Sequence, residues 1–167
     1  MLTTNKKVRN ATVCKTDNIT FKSQLEKSIY NTLQQLGFTV QYEPVTHVLW
    51  DSFVPITPFY DKESDTQQAK RIECGDKDKG RKLVLKEGKI VGIRYTPDFY
   101  FKYKDLDVYI EAKGIENDVF YIKKKMFRKY LDDILISKNQ HSIFFEIYTK
   151  KQLLQAVEII KEYAESL

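Results

Sequence analysis

Apolar residues recur at Leu25, Ile29, Leu33 and Leu36, the spacing of one helical face, and Gly37 stands where such a helix would end. The pattern predicts a helix over 22–36 with Thr20 as its N-cap. Phe38-Thr39-Val40-Gln41-Tyr42 alternates apolar with polar and predicts a first strand, stopped by Pro44. Residues 83–86 and 89–93 predict a strand pair around a tight turn at Glu87-Gly88. From Asp98 to Glu111 the chain reads as strand, polar turn (Lys104-Asp105-Leu106-Asp107) and strand, which folds back as a hairpin. Residues 119–134 predict a basic helix with Phe120, Met126, Phe127 and Leu131 available to its inner side. Residues 142–148 form a continuous apolar strand of the buried kind, and Thr149 is placed to cap a final helix running to 164.

This order predicts an α/β (α+β) fold, with a mixed central β-sheet flanked by helices. Two stretches fall outside the pattern. Residues 1–18 are polar and aperiodic and are expected to form an N-terminal arm or edge element, leaving 19–167 as a single domain. Residues 47–80 contain Pro55, Pro58 and a polar run at 61–68, and are expected to be an irregular insertion.

Composition narrows the classes. At 167 residues, 42% hydrophobic and 31% charged, the chain is long enough to bury a core without staples. It has no eighteen-residue apolar run, and residues 1–10 lack the apolar stretch of a signal peptide, so a cytoplasmic protein with no membrane partner is expected. Cys14 and Cys74 have no His or Cys at ligand spacing, which predicts reduced thiols and no zinc site. Net charge is +5 and the pI is near 9.0. Residues 121–130 carry Lys123, Lys124, Lys125, Arg128 and Lys129 with no acid among them, and a second basic stretch at 70–89 is diluted by Glu73, Asp76, Asp78 and Glu87. A polyanion is the natural partner of such a surface. No Gly-rich phosphate loop, Ser-His-Asp order or dinucleotide fingerprint is present, and His47 and His141 read as structural or surface residues.

The candidate chemistry lies in the hairpin. Side chains alternate along a strand, so Glu111 and Lys113 share one face while Ile110 and Ala112 point into an apolar layer. The fold-back brings Asp98 beside Glu111, so two carboxylates and a lysine converge. Oxygen ligands at that density suit a hard divalent cation such as Mg²⁺ or Mn²⁺, and the lysine is suited to orienting a water or neutralising charge on a phosphate.

The ordered pieces Leu25-Glu26, Tyr42-Glu43, Tyr95-Thr96-Pro97-Asp98-Phe99 and Glu111-Ala112-Lys113-Gly114 resemble the PD-(D/E)xK nuclease superfamily. Within it they resemble phage endonuclease I-type Holliday-junction resolvases and related small phage nucleases. The resemblance covers residues 20–150 and departs at 47–80, where those nucleases have a much shorter connection. It implies a restriction-endonuclease-like core and a Mg²⁺-dependent endodeoxyribonuclease, with Mn²⁺ able to substitute. It further implies that Asp98, Glu111, the Ala112 carbonyl and Glu26 ligate metal, and that Glu26, Asp98, Glu111 and Lys113 form the catalytic set. Glu43 is expected to end a strand near the site. Lys123, Lys124, Lys125 and Arg128 are expected to contact the DNA backbone. The implied substrate is branched DNA cut by a homodimer, in the host cytoplasm for a phage-encoded enzyme. Duplex ends, flaps or nicks are the alternative substrates, and a non-catalytic nucleic-acid-binding module on the same fold is the alternative class.

Overall fold

A computed structural model describes residues 13–16, 19–114 and 118–167. In chain order the elements are β1 (Cys14–Thr16), β2 (Ile19–Phe21), α1 (Gln24–Gln35), β3 (Gln41–Tyr42), β4 (His47–Trp50), β5 (Tyr60–Lys62), α2 (Asp65–Glu73), β6 (Leu83–Leu85), β7 (Ile93–Tyr95), β8 (Phe99–Tyr103), β9 (Leu106–Ala112), α3 (Asp118–Lys138), β10 (Ser142–Ile147) and α4 (Lys150–Ser166). The chain divides into two compact units, Met1–Leu49 with Arg94–Leu167, and Trp50–Ile93.

The first unit is α+β. Its sheet has the order β10-β9-β8-β3, with β9 parallel to β10 and antiparallel to β8, and β3 antiparallel to β8. The sheet is therefore mixed, as the sequence predicts. Alternation along β9 separates two apolar layers. Leu106, Val108 and Ile110 join Phe99 and Phe101 of β8, Ile29 and Leu33 of α1, and Leu153, Val157 and Ile160 of α4 in the larger core. Tyr109 faces the other way, into a smaller aromatic cluster with Tyr95, Phe120, Phe127 and Leu131. Burial of these side chains stabilises the fold by about 25 cal/mol per Å² of apolar surface removed from water.

Local signals fix the helices, although the cap of α1 differs from the predicted one and α3 runs on past 134 to Lys138. The N-cap of α1 is Ser23 instead of Thr20, its hydroxyl accepting from the Glu26 amide at 3.2 Å, because Thr20 is already paired within β2. Gly37 takes φ +86° just past α1, and the Gly37 and Phe38 amides return to the carbonyls of Gln34 and Leu33 at 3.0 Å each. Thr149 caps α4 in a reciprocal box with Gln152. The β8–β9 turn is tighter than predicted. Tyr103 pairs with Leu106, Lys104 takes φ +53°, and Leu106 and Asp107 are buried strand residues. Of the predicted N-terminal arm, residues 1–12, 17 and 18 lie outside the described residues, while Cys14–Thr16 pairs with Ile19–Phe21.

The second unit corrects the sequence pattern. Residues 83–93 do not fold into a hairpin around Glu87-Gly88: β6 pairs with β5, Leu85 opposite Tyr60, and Ile90 bridges to Phe53. Within the stretch expected to be irregular, α2 is capped by a reciprocal Ser64–Gln67 box. Arg71 ties this unit together. Its guanidinium binds the buried Glu63 through Nη2 at 2.6 Å and Nε at 3.1 Å, and donates to the carbonyls of Asp78 and Gly80 at 2.7 Å each. Both cysteines are free thiols, Cys74 exposed and Cys14 half-buried. Among the described residues no helix is long and apolar enough to cross a membrane.

Candidate active site

Phe99 opposes Ile110 across the β8–β9 ladder, so the residue before Phe99 and the residue after Ile110 come together, and Asp98 lies beside Glu111. The Ala112 amide donates to Oδ2 of Asp98 at 2.8 Å, and the Asp98 carbonyl accepts from the Glu43 amide at 2.8 Å. The aspartate is thus fixed from both neighbouring strands, while Oδ1 takes no hydrogen bond among the described residues.

Glu111 is buried, and both its oxygens are engaged. Tyr95 donates to Oε2 at 2.5 Å, and the Lys113 ammonium lies 2.6 Å from Oε1. The ammonium also sits 3.6 Å from the centroid of the Phe120 ring at the start of α3. Lys113 stands just past the end of β9 and turns its side chain to the same side as Glu111, as alternation predicts.

These carboxylates cannot be charged together without cost. Burial, then the charge of Glu111, then that of Glu26, push the Asp98 carboxyl up to about 8, against the opposing pull of the Ala112 amide and Lys113. Burial and the same negative field, from Glu111, Asp98 and Glu146, raise the Tyr95 phenol well above its ordinary value, so it remains a donor at neutral pH. A concentration of negative potential of this kind is what a bound cation relieves.

Glu26 is near enough to be felt at Asp98, but its oxygens are committed elsewhere. Oε2 accepts from the Tyr42 hydroxyl at 2.6 Å and from the Lys22 amide at 2.9 Å, and Oε1 accepts from Ser23 Oγ at 2.8 Å. The carboxylate closes the first turn of α1 and anchors β3. Glu43 follows β3 with φ +45°, and its carboxylate pairs with Lys22. The Lys22 ammonium is raised by the hydrogen bond to Glu43, against burial, and further by the charges of Glu43, Asp98 and Glu26. Lys22 is therefore a second cation at this end of the sheet, one that no local pattern in the chain singles out.

Among the described residues no group of three or more His, Cys, Asp or Glu side chains is arranged to hold a metal ion. The donors fit a less demanding arrangement. Mg²⁺ takes one or two carboxylates and keeps several waters, and Asp98 with Glu111 supplies that pair in oxygen-only chemistry. Ala112, the last residue of β9, contributes its amide to Asp98.

The basic helix spreads its charges around its axis. Lys124 turns toward the sheet and pairs with Glu146 of β10, at 2.9 Å to Oε1 and 3.0 Å to Oε2. Lys125 is exposed, 4.3 Å from the centroid of the Tyr121 ring; Arg128 is exposed and Lys123 half-buried. His47 is a packing residue, its ring edge-on to Tyr109 and Tyr130 and its Nδ1 3.2 Å from the Tyr130 hydroxyl. Sequence reasoning missed Tyr95 as the partner of Glu111, and missed Glu146. The latter had a signal, since it is the one charged residue in the strand Ser142–Ile147.

No family model matches this chain, and no curated protein or solved structure matches it.

Proposed function

We propose that the chain is a metal-dependent endonuclease that hydrolyses DNA phosphodiester bonds, built on a restriction-endonuclease-like core and selective for branched DNA. The observation that carries this reading is the convergence of Asp98, Glu111 and Lys113 at one end of a mixed sheet, with Asp98 beside Glu111 and Lys113 ion-paired to it. The resemblance of the ordered Tyr-Thr-Pro-Asp and Glu-Ala-Lys segments to PD-(D/E)xK nucleases supports the same reading.

Asp98 and Glu111 would hold Mg²⁺ or Mn²⁺, with the Ala112 carbonyl beside them. Such an ion supplies charge stabilisation at phosphorus and lowers the pKa of a bound water. The protein's own groups do the rest. Tyr95 holds Glu111 in one rotamer through a bond to Oε2, leaving Oε1 toward Lys113. Lys113, resting on Phe120, presents a positive charge where an attacked phosphate gains negative charge, and its ammonium is placed to orient water. Glu26 acts one step back. It sets the start of α1 and β3, and its charge adds to the field at Asp98.

The DNA runs past α3, whose exposed Lys125 and Arg128 meet backbone phosphates without reading sequence. A four-way junction has two symmetric strands to cut, so in this reading the enzyme works as a homodimer in the cytoplasm of the host cell. Incubation with branched, flapped, nicked and linear DNA, with and without Mg²⁺, tests the activity and the substrate together. Metal-dependent cleavage greatest on the branched substrate is expected. Binding without cleavage of any substrate would assign the chain to non-catalytic nucleic-acid binding instead.

A further inference from the structure

A second acid–lysine pair stands one strand away from the first. Glu146 is in register with Glu111 on the parallel neighbour β10, and Phe144, two residues earlier, packs with Tyr95 and Phe127 on the α3 side of the sheet. Glu146 and Glu111 therefore share a face and a row, separated by the strand spacing of about 4.8 Å. Each carries a lysine: Lys113 at 2.6 Å from Glu111, and Lys124 at 2.9 Å from Glu146. Both ammoniums flank the same ring, 3.6 Å and 5.5 Å from the Phe120 centroid. The Tyr148 hydroxyl donates to Glu146 at 3.2 Å, fixing the carboxylate that fixes the lysine.

Taking the site to act on a phosphodiester, we infer that Lys124 forms a second phosphate subsite, receiving the backbone phosphate next to the one attacked, with Glu146 as the positioning residue that holds it there. Three features support this. The pair is only partly exposed, 18% for the Lys124 side chain and 20% for Glu146, so its ammonium is poorly hydrated and answers strongly to an arriving anion. Its place in the Glu111 row puts the ammonium beside the reacting position and not on the outer face of α3. A half-buried ion pair adds little to stability, so packing alone gives no reason for the only charge in this strand.

The test is equilibrium binding of an end-labelled DNA duplex in Ca²⁺ over a range of NaCl concentrations. Lys124→Met keeps the stem against Phe120 and removes the charge. It should weaken binding on the order of tenfold and reduce the slope of log K against log salt by about one. Lys124→Arg should restore most of both. Glu146→Ala should weaken binding in the wild-type background and have no further effect beside Lys124→Met, because it acts only through the lysine. Unchanged affinity and slope in folded Lys124→Met, or an independent effect of Glu146→Ala in the double variant, would overturn the subsite. Wild-type cleavage of branched, flapped, nicked and linear DNA in Mg²⁺ separates the two readings. Cleavage with an unchanged slope removes the subsite alone. A reduced slope from a wild type that cuts nothing keeps the phosphate-binding role of Lys124 and removes the reacting neighbour.

Discussion

Tyr95 donates a buried 2.5 Å hydrogen bond to Glu111, and the two lie on different strands, β7 and β9. The bond settles which Glu111 oxygen faces Lys113. Tyr95→Phe keeps the ring among Phe120, Phe127 and Phe144 and removes only the hydroxyl. Cleavage should fall roughly 10–100-fold, the usual cost of losing a group that orients a ligand. Stability in urea should fall by about 1–2 kcal/mol, as for a missing buried hydrogen bond to a charged acceptor. Wild-type cleavage by Tyr95→Phe would show that the hydroxyl has no part in orienting Glu111.

Stability should depend on pH through Asp98. Its carboxyl is raised from 3.8 to about 8 in the folded chain, so the folded state holds this proton more tightly than the unfolded state does. The contribution is fully present below the ordinary aspartate range and is lost as pH rises through about 8. Melting temperature in EDTA should therefore decline across that interval, and Asp98→Asn should flatten the decline. Mg²⁺ should raise the melting temperature more at pH 8 than at pH 5, because it favours the charged form. Identical pH profiles for wild type and Asp98→Asn would contradict this assignment of the raised carboxyl.

Glu26 offers a separation of structure from chemistry. Glu26→Ala removes the acceptor for Tyr42, Ser23 and the Lys22 amide, and should cost about 1–2 kcal/mol, as for removal of other helix caps. Glu26→Gln keeps an acceptor oxygen and loses the charge that raises Asp98. It should shift the pH midpoint of the Asp98-dependent stability downward while costing less stability. Equal destabilisation by the two variants, with no shift of the midpoint, would remove Glu26 from the electrostatics of the site.

The outward face of α3 should act additively and weakly. Removing charge at Lys125 and Arg128 together should weaken binding to all DNA sequences alike and flatten the salt dependence by about one unit of slope for each phosphate left without its cation. Fluorescence anisotropy across salt concentrations reads both quantities. Unchanged slopes would move the DNA path to the basic stretch at 70–89.

Much of this site is legible in the sequence because strand alternation is local. Ile110 and Ala112 on one face and Glu111 and Lys113 on the other follow from period two, and the polar turn at Lys104-Asp105 brings Asp98 back to Glu111. What stayed hidden depends on pairing between distant segments. Glu146 lies next to Glu111 only because β10 runs parallel to β9 in one register, and Lys124 meets it only because α3 crosses that row. The pairing of β6 with β5 was equally hidden, since Glu87-Gly88 is a good local turn signal and the competing ladder lies more than twenty residues upstream. Ser23-Gln24-Leu25-Glu26 is a capping signature that was open to view, and it explains where the oxygens of Glu26 go.

Cleavage by three variants tests the central claim most directly. Asp98→Ala and Glu111→Ala each remove a carboxylate from the proposed cation site, and Lys113→Ala removes the ammonium paired with Glu111. With Mg²⁺ and a branched DNA substrate, each folded variant should lose at least tenfold in cleavage, a barrier increase of about 1.4 kcal/mol or more. Binding to the same DNA in Ca²⁺ should stay within a few-fold of wild type. Calorimetry should show Mg²⁺ or Mn²⁺ binding abolished in the two carboxylate variants and kept in Lys113→Ala. Retention of more than about a tenth of wild-type cleavage by Asp98→Ala or Glu111→Ala would contradict the assignment of this site as the hydrolytic centre.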